Sequence, residues 1–132
     1  MSRRVLAFGT FDLLHPGHRF LLQEASKRGD LFVVVARDAN VQRLKGRPAV
    51  HTEQERVESV HLAAPSATVM LGDPTDFLAP VRMIQPDLIV LGYDQWLPPG
   101  VKEEDLPCPT ERLEAFHPEK YKTSILREQN NR

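Results

Sequence analysis

Short apolar runs alternate along the chain with longer segments in which apolar residues recur at helical spacing. Four runs are rich in Val, Leu and Ile and are bounded by Gly, Asp or Arg, which predicts buried strands of a parallel sheet. They cover residues 5–8, 31–36, 68–71 and 88–91. The chain therefore opens with a β-α-β unit and continues in the same alternation.

Two helices are predicted from apolar stripes. Residues 18–27 carry one stripe, and Gly29 stands where a left-handed cap after a helix is expected. Residues 53–63 carry a second stripe, and Thr52 precedes Glu55 by three positions, which is the spacing of a capping box. Both helices would cross over between parallel strands.

The remainder of the chain is less regular. Residues 75–85 predict a third helix, kinked near Pro80. Residues 94–121 contain several prolines and predict an irregular segment, and residues 122–128 predict a short last helix. We therefore expect residues 1–132 to form a single α/β domain with a mostly parallel sheet and helices on both faces.

Composition narrows the class of protein. The chain has 132 residues, 41% of them hydrophobic, which suffices for one core. Its net charge is −1, with 17 basic and 18 acidic residues interspersed, so we expect no nucleic-acid partner. The single cysteine, Cys108, favours a structural role and a reducing, cytoplasmic setting. The first apolar run ends too soon for a signal peptide or a membrane span, so we expect no membrane partner.

Polar side chains cluster after three of the predicted strands. Because the carboxyl ends of parallel strands meet at one edge, these side chains should share a crevice. They are Thr10, Asp12, His15, His18, Arg37, Asp38, Tyr93 and Asp94. His15 and His18 lie three residues apart where a loop enters a helix, so both imidazoles and the free helix amides can face one anion. A zinc site would need a further ligand, and no companion motif is evident.

The ten residues from Gly9 to His18 resemble the signature of cytidylyltransferase-like nucleotidyltransferases, which carry a His-x-Gly-His motif. The resemblance implies a Rossmann-like domain. It also implies that His15 and His18 contact the triphosphate and stabilise charge while a phosphate oxygen of the acceptor attacks the α-phosphorus and pyrophosphate leaves. The amides near Gly9, Thr10 and Phe11 would lie at the nucleotide.

Five further segments are similar to archaeal-type FAD synthases: residues 35–38, 45–48, 53–56, 71–73 and 86–95. This likeness implies that Lys45 approaches the phosphates and acts in catalysis, and that Asp94 lies near the ribose and base. It also implies that Asp38 and Arg56 bind a phosphate or the acceptor. Each position has a plainer interpretation: Lys45 a solvated loop residue, Arg56 an exposed helix charge, Asp94 a turn cap.

The C-terminal likeness is partial. Thr123 and Ser124 fit a Ser-Thr triplet that holds the β- and γ-phosphates in this family, so they are expected at the nucleotide. Lys122 replaces the first serine, and an upstream arginine is missing. Lys122 would either add a positive charge beside the phosphates or alter the triphosphate grip. Trp96 would either stack on a base or flavin ring or form a surface or dimer contact.

Taken together, the resemblance implies an NTP-dependent nucleotidyltransferase that uses Mg²⁺ carried by the NTP rather than by a protein metal site. ATP and FMN, yielding FAD, are the favoured substrates, and CTP with glycerol 3-phosphate or a similar phospho-alcohol is the alternative. A non-catalytic nucleotide-binding module and a redox flavoprotein of flavodoxin-like topology are the other hypotheses. The resemblance also implies a homodimer. The sequence leaves the NTP and the acceptor open.

Overall fold

A five-stranded sheet forms the centre of the protein, which is described here by a computed structural model covering residues 3–115. The strands are β1 (Arg4–Gly9), β2 (Asp30–Val35), β3 (Thr68–Leu71), β4 (Leu88–Leu91) and β5 (Thr110–Arg112). Their order across the sheet is β3-β2-β1-β4-β5, and every neighbouring pair is parallel. The four predicted strands are confirmed to within about one residue at each end.

Four α-helices connect the strands: α1 (Pro16–Ser26), α2 (Asp38–Lys45), α3 (Glu53–Ala63) and α4 (Leu78–Ile84). A short 3-10 helix, Glu103–Asp105, follows β4. The predicted capping box of α3 is present, because the Thr52 hydroxyl accepts from the Glu55 amide and the Glu55 carboxylate accepts from the Thr52 amide. No helix within residues 3–115 is long and apolar enough to cross a membrane.

The core lies on both faces of the sheet because successive side chains of a strand point to opposite sides. Val5, Ala7 and Val33 pack on one face with residues of α1 and α3. Leu6 and Phe8 pack on the other face with residues of α4. The expectation of helices on both faces of a parallel sheet is therefore confirmed.

The strand order places the direction change of the sheet between β1 and β4, where Val5 pairs with Leu88. Ligands of open α/β sheets bind in the crevice at such a point, outside the carboxyl ends of the strands. A flavodoxin-like sheet has the order 2-1-3-4-5 instead. The sheet therefore does not have the flavodoxin-like topology that the redox flavoprotein hypothesis requires, and that hypothesis is wrong on this point.

One α-helix and one strand were not predicted. Helix α2 has one buried residue, Val41, and so lacks the apolar stripe that signals a helix. Strand β5 lies inside the segment 94–121 that was expected to be irregular; it has three residues and pairs with β4. The correction matters for function because β5 supplies a side chain to the turn after β4.

Two local predictions are wrong. Gly29 is not a left-handed helix cap: α1 ends at Ser26 and its C-cap, Lys27, is right-handed, while a Cβ at Gly29 would lie 2.6 Å from the carbonyl oxygen of Arg3. Pro80 does not kink a helix, because α4 begins only at Leu78 and the proline occupies the first turn, where no amide is needed for the helix.

Candidate active site

The β1 loop, residues 10–15, joins β1 to α1 through an unusual backbone. Phe11 and Leu13 both have left-handed φ angles, 56° and 53°. Such residues cost on the order of 1–3 kcal/mol each. Phe11 offsets the cost by burial, since its ring is only 2% exposed and lies against Gly9, where a Cβ would approach it to 3.2 Å. This geometry presents Asp12 between the two strained residues and turns the chain into α1.

His15 and His18 cap the start of α1 reciprocally. Nδ1 of His15 accepts from the amides of Gly17 at 3.0 Å and His18 at 3.4 Å, and Nδ1 of His18 accepts from the amide of His15 at 3.3 Å. The two rings stack with centroids 3.7 Å apart and an angle of 18°. Since each Nδ1 accepts a hydrogen bond from the backbone, each ring in its neutral form carries its proton on Nε2. Nε2–H is therefore the group that each histidine offers to a ligand.

The amides of the first turn of α1 are already occupied, which corrects the expectation that they face an anion. Pro16 has no amide hydrogen, the amides of Gly17 and His18 donate to His15, and the amide of Arg19 donates to the His15 carbonyl at 3.1 Å. The imidazoles have taken the place that an anion would occupy at the helix start. Contact of the two histidines with a phosphate stays a prediction, and the Nε2–H groups are the ring donors left for it.

Several charged side chains of the crevice affect the pKa of His18. Burial lowers the pKa of His18 from 6.5 to about 4, and the positive charges of His15 and Lys45 act in the same direction. The carboxylates of Asp94 and Asp12 raise this pKa more weakly. His18 is consequently neutral near pH 7 and donates through Nε2. The predicted catalytic residues His15 and Lys45 and the predicted nucleotide ligand Asp94 therefore all lie within electrostatic reach of His18.

Asp12 ties the β1 loop to the loop that follows Lys45. Its carboxylate accepts from the amides of Val50 at 2.8 Å and His51 at 3.0 Å. Burial acts to raise the pKa of Asp12, but these two amides and the neighbouring charges hold it below its ordinary value. Asp12 was expected in the crevice without a specific role, and the structure shows it as the side chain that joins two loops of the site.

Arg56 is a correction to the sequence analysis. Its side chain is fully buried, and its guanidinium donates to the carbonyl oxygens of Thr10 (2.9 Å), Ala36 (2.8 Å) and His51 (3.2 Å) and to the carboxylate of Asp38 (2.6 Å). A phosphate has no access to this group. Arg56 instead joins the ends of β1 and β2 beneath the crevice.

A signal for this inward arginine exists in the sequence. Arg56 lies four residues before Val60, and both face the core from the same side of α3. Its partner Asp38 is half exposed and begins α2, with its amide donating to the Glu53 carboxylate at 2.7 Å. Because the Asp38 carboxylate is engaged by Arg56, its contact with a phosphate or acceptor stays a prediction.

The β4 turn, residues 92–96, is held by side chains from elsewhere. Gln95 donates to the Phe8 carbonyl at 2.6 Å and accepts from the Gly92 amide at 3.0 Å, which links β4 to β1. Arg112 of β5 donates to the carbonyls of Gly92, at 3.1 Å, and Gln95. No role was predicted for Gln95 or Arg112 from the sequence. A role for Gln95 could have been predicted because it directly follows the predicted site residue Asp94. A role for Arg112 could not, because β5 was not predicted.

Three predicted site residues, Lys122, Thr123 and Ser124, lie outside the described residues, and their roles stay predictions. Gly9, Thr10 and Phe11 are described, but the contacts predicted between their amides and the nucleotide also stay predictions. Cys108 is partly buried against the face of the sheet that carries Leu6 and Phe8. Burial raises the pKa of its thiol, and the charge of Asp87 raises it further. This supports the structural role expected for it.

A family model for cytidylyltransferase-like proteins matches residues 6–129. The chain belongs to the cytidylyltransferase-like family. It is 50% identical over 105 residues to the FAD synthase of Methanosphaerula palustris, covering 79% of this chain and 67% of that protein. It is 46% identical over 110 residues to the FAD synthase of Methanolacinia petrolearia, covering 83% and 70%, and 47% identical over 104 residues to that of Methanosarcina acetivorans, covering 78% and 68%.

A solved structure extends the likeness to the fold. The lipopolysaccharide core biosynthesis protein of Thermoplasma volcanium superposes with a TM-score of 0.78 at 31% identity, covering 89% of this chain and all of that one. Membership of the cytidylyltransferase-like family makes the chain a nucleotidyltransferase with a Rossmann-like fold. The resemblance read from Gly9 to His18 is thus confirmed.

The site of this cytidylyltransferase-like domain suits transfer chemistry that needs charge neutralisation rather than a protein nucleophile. The Nε2–H donors of His15 and His18 and the exposed ammonium of Lys45 are groups that can contact phosphate oxygens. Residues 3–115 contain no group of three or more His, Cys, Asp or Glu side chains that could hold a metal ion. An open cleft of about 460 Å³ lies between α1 and α3; Leu14 of the β1 loop, Arg19, His51 and Ser59 are among the residues that line it.

Proposed function

We propose that this chain transfers the AMP group of ATP to FMN, forming FAD and pyrophosphate. Relatives named FAD synthase, 46–50% identical over 78–83% of the chain, support the choice of substrates. The observation that carries the reaction class is the stacked pair of His15 and His18, whose Nδ1 atoms both accept backbone hydrogen bonds and so leave the two Nε2–H groups for a ligand.

In the proposed reaction an oxygen of the FMN phosphate attacks the α-phosphorus of ATP. A new P–O bond forms there, the bond to the bridging oxygen of the β-phosphate breaks, and pyrophosphate leaves with that electron pair. His15 and His18 donate hydrogen bonds to phosphate oxygens whose charge grows during the attack. Lys45 neutralises the phosphates, and Asp94 accepts from ribose hydroxyls.

Mg²⁺, bound to the triphosphate, is part of the proposal and shields the phosphate charge from the attacking oxygen. Thr123 and Ser124, with Lys122 beside them, are proposed to hold the β- and γ-phosphates. We further infer, from the family resemblance, a homodimer in a cytoplasmic setting. A monomeric mass by sedimentation would contradict the dimer.

The test is product formation with purified protein and Mg²⁺. ATP with FMN should give FAD, detected by chromatography, together with equal amounts of pyrophosphate. CTP with glycerol 3-phosphate is the competing pair, and preferential turnover of that pair would replace the substrates proposed here. The matched variants are His18→Ala, which should lose turnover, and Gln23→Ala, an exposed change on the same helix, which should keep it.

A nucleotide-binding module without turnover predicts a different result. Calorimetry would then show binding of ATP or CTP, while no pair of substrates would release pyrophosphate. That outcome would contradict the proposed enzyme, whereas FAD formation that depends on His18 would remove the module hypothesis.

A further inference from the structure

Trp96 is the only tryptophan in the sequence, and its side chain is 81% exposed. Scattered single apolar residues on a surface are ordinary. Trp96 differs because of its place: it ends the β4 turn, at the carboxyl end of the strand beside β1. The neighbouring aromatic Tyr93 is also half exposed.

The indole of Trp96 is oriented by the protein. The guanidinium of Arg112 lies 5.5 Å from the ring centroid, within the range of a cation–π contact. The same guanidinium donates to the carbonyls of Gly92 and Gln95, and Gln95 donates to the carbonyl of Phe8. The ring is therefore fixed to three adjacent strands while most of its surface stays accessible.

The fixed indole lies next to the phosphate chemistry. Trp96 is two residues from Asp94, whose carboxylate acts on the pKa of His18. Gly92 and Phe8, the backbone anchors of the β4 turn, end the two strands that border the crevice. A substrate whose phosphate contacts His18 would have its ring within reach of this turn if it extends toward β5.

We propose that Trp96 is a substrate-binding residue that stacks on a planar heteroaromatic ring, either the adenine of ATP or the isoalloxazine of FMN. The inference rests on the proposed function, which supplies two substrates with such rings. An exposed indole with a cation over one face leaves the other face open for stacking, and the Arg112 contact lowers the conformational freedom that the ring loses on binding.

The test compares Trp96→Ala and Trp96→Phe with Met83→Ala, which removes an exposed apolar side chain from α4. Trp96→Ala should raise KM for one substrate by roughly 5- to 150-fold, the effect of removing a stacked aromatic. Its kcat should change much less, and Trp96→Phe should restore most of the loss. Met83→Ala should match the wild type.

Kinetic measurements with each substrate identify the ring that stacks on Trp96. If it is adenine, KM for ATP rises while inhibition by inorganic tripolyphosphate, which has no ring, stays unchanged. If it is isoalloxazine, KM for FMN rises instead. Unchanged KM values for both substrates, with turnover intact, would overturn the inference and leave the proposed function standing.

Binding measurements keep the inference testable without turnover. Calorimetry with ATP and with FMN should show weaker binding of one of them to Trp96→Ala, and ATP should change the fluorescence of Trp96 if adenine stacks there. Equal affinities of wild type and Trp96→Ala for both ligands would overturn the inference. So would a lower mass of Trp96→Ala in sedimentation with unchanged affinities, because that result assigns the ring to a subunit contact.

Discussion

The β1 loop and the β4 turn border the same crevice but hold their side chains in opposite ways. In the first, His15 and His18 cap each other's backbone across three residues, so the geometry of the proposed phosphate donors is built from neighbours in sequence. In the second, Gln95 and Trp96 are fixed by Phe8 and Arg112, which lie far away along the chain. The first arrangement forms when one helix turn forms, whereas the second requires the folded sheet.

The largest effect is expected from a change that tests whether the β1 loop depends on a residue far away along the chain. Its Thr10 carbonyl is held from below by Arg56. Arg56→Met should lower the free energy of unfolding by roughly 3–5 kcal/mol, because Asp38 loses its partner and three carbonyls lose their donor. Urea denaturation measures this, with the exposed Arg43→Met as control. A loss below about 1 kcal/mol would show that the loop needs no distant support.

His15 allows capping and catalysis to be separated. Asparagine is a good N-cap but lacks Nε2. His15→Asn should keep the melting temperature near that of the wild type and reduce kcat/KM by roughly 100- to 1,000-fold, as expected for one lost donor to a transition state. His15→Ala should lose the activity and, in addition, about 1 kcal/mol of stability. Full activity in His15→Asn would contradict the assignment of Nε2–H as donor.

Gln95 tests the long-range arrangement. Gln95→Ala leaves the Phe8 carbonyl and the Gly92 amide without their partner, at a cost of roughly 1–3 kcal/mol. The change should raise the same KM that Trp96→Ala raises, because the turn that carries the indole loosens. Thermal melting and steady-state kinetics measure the two effects, and the exposed Gln42→Ala should show neither. A KM equal to the wild type's would separate the turn from substrate binding.

The smallest expected effect is the pH dependence contributed by His18. Its pKa is about 4 in the folded protein against 6.5 without the fold, so the unfolded chain binds more protons between these values. Stability should therefore fall as the pH drops from about 6.5 to about 4. Urea denaturation at several pH values should give a shallower slope for His18→Asn, and identical slopes would show that burial does not depress this pKa.

The sequence predicts features that neighbouring residues encode. The four longer strands, the capping box at Thr52 and the histidine motif all depend on spacings of a few residues, and all are present. Helix α2 was missed because its single buried residue, Val41, leaves no stripe, and β5 because a three-residue strand depends on pairing with β4. Within the site, the inward direction of Arg56 depends on carbonyls from three other segments.

The reciprocal capping by His15 and His18 couples the arrangement of the two proposed donors to the fraying of one helix turn. When that turn opens, the amide of Gly17 loses its imidazole partner and both rings lose their stacked arrangement at the same moment. Hydrogen exchange at the Gly17 amide would therefore measure the fraction of molecules in which this turn is open. Heat inactivation of this enzyme would then begin with a local event at the start of α1, before the sheet itself gives way.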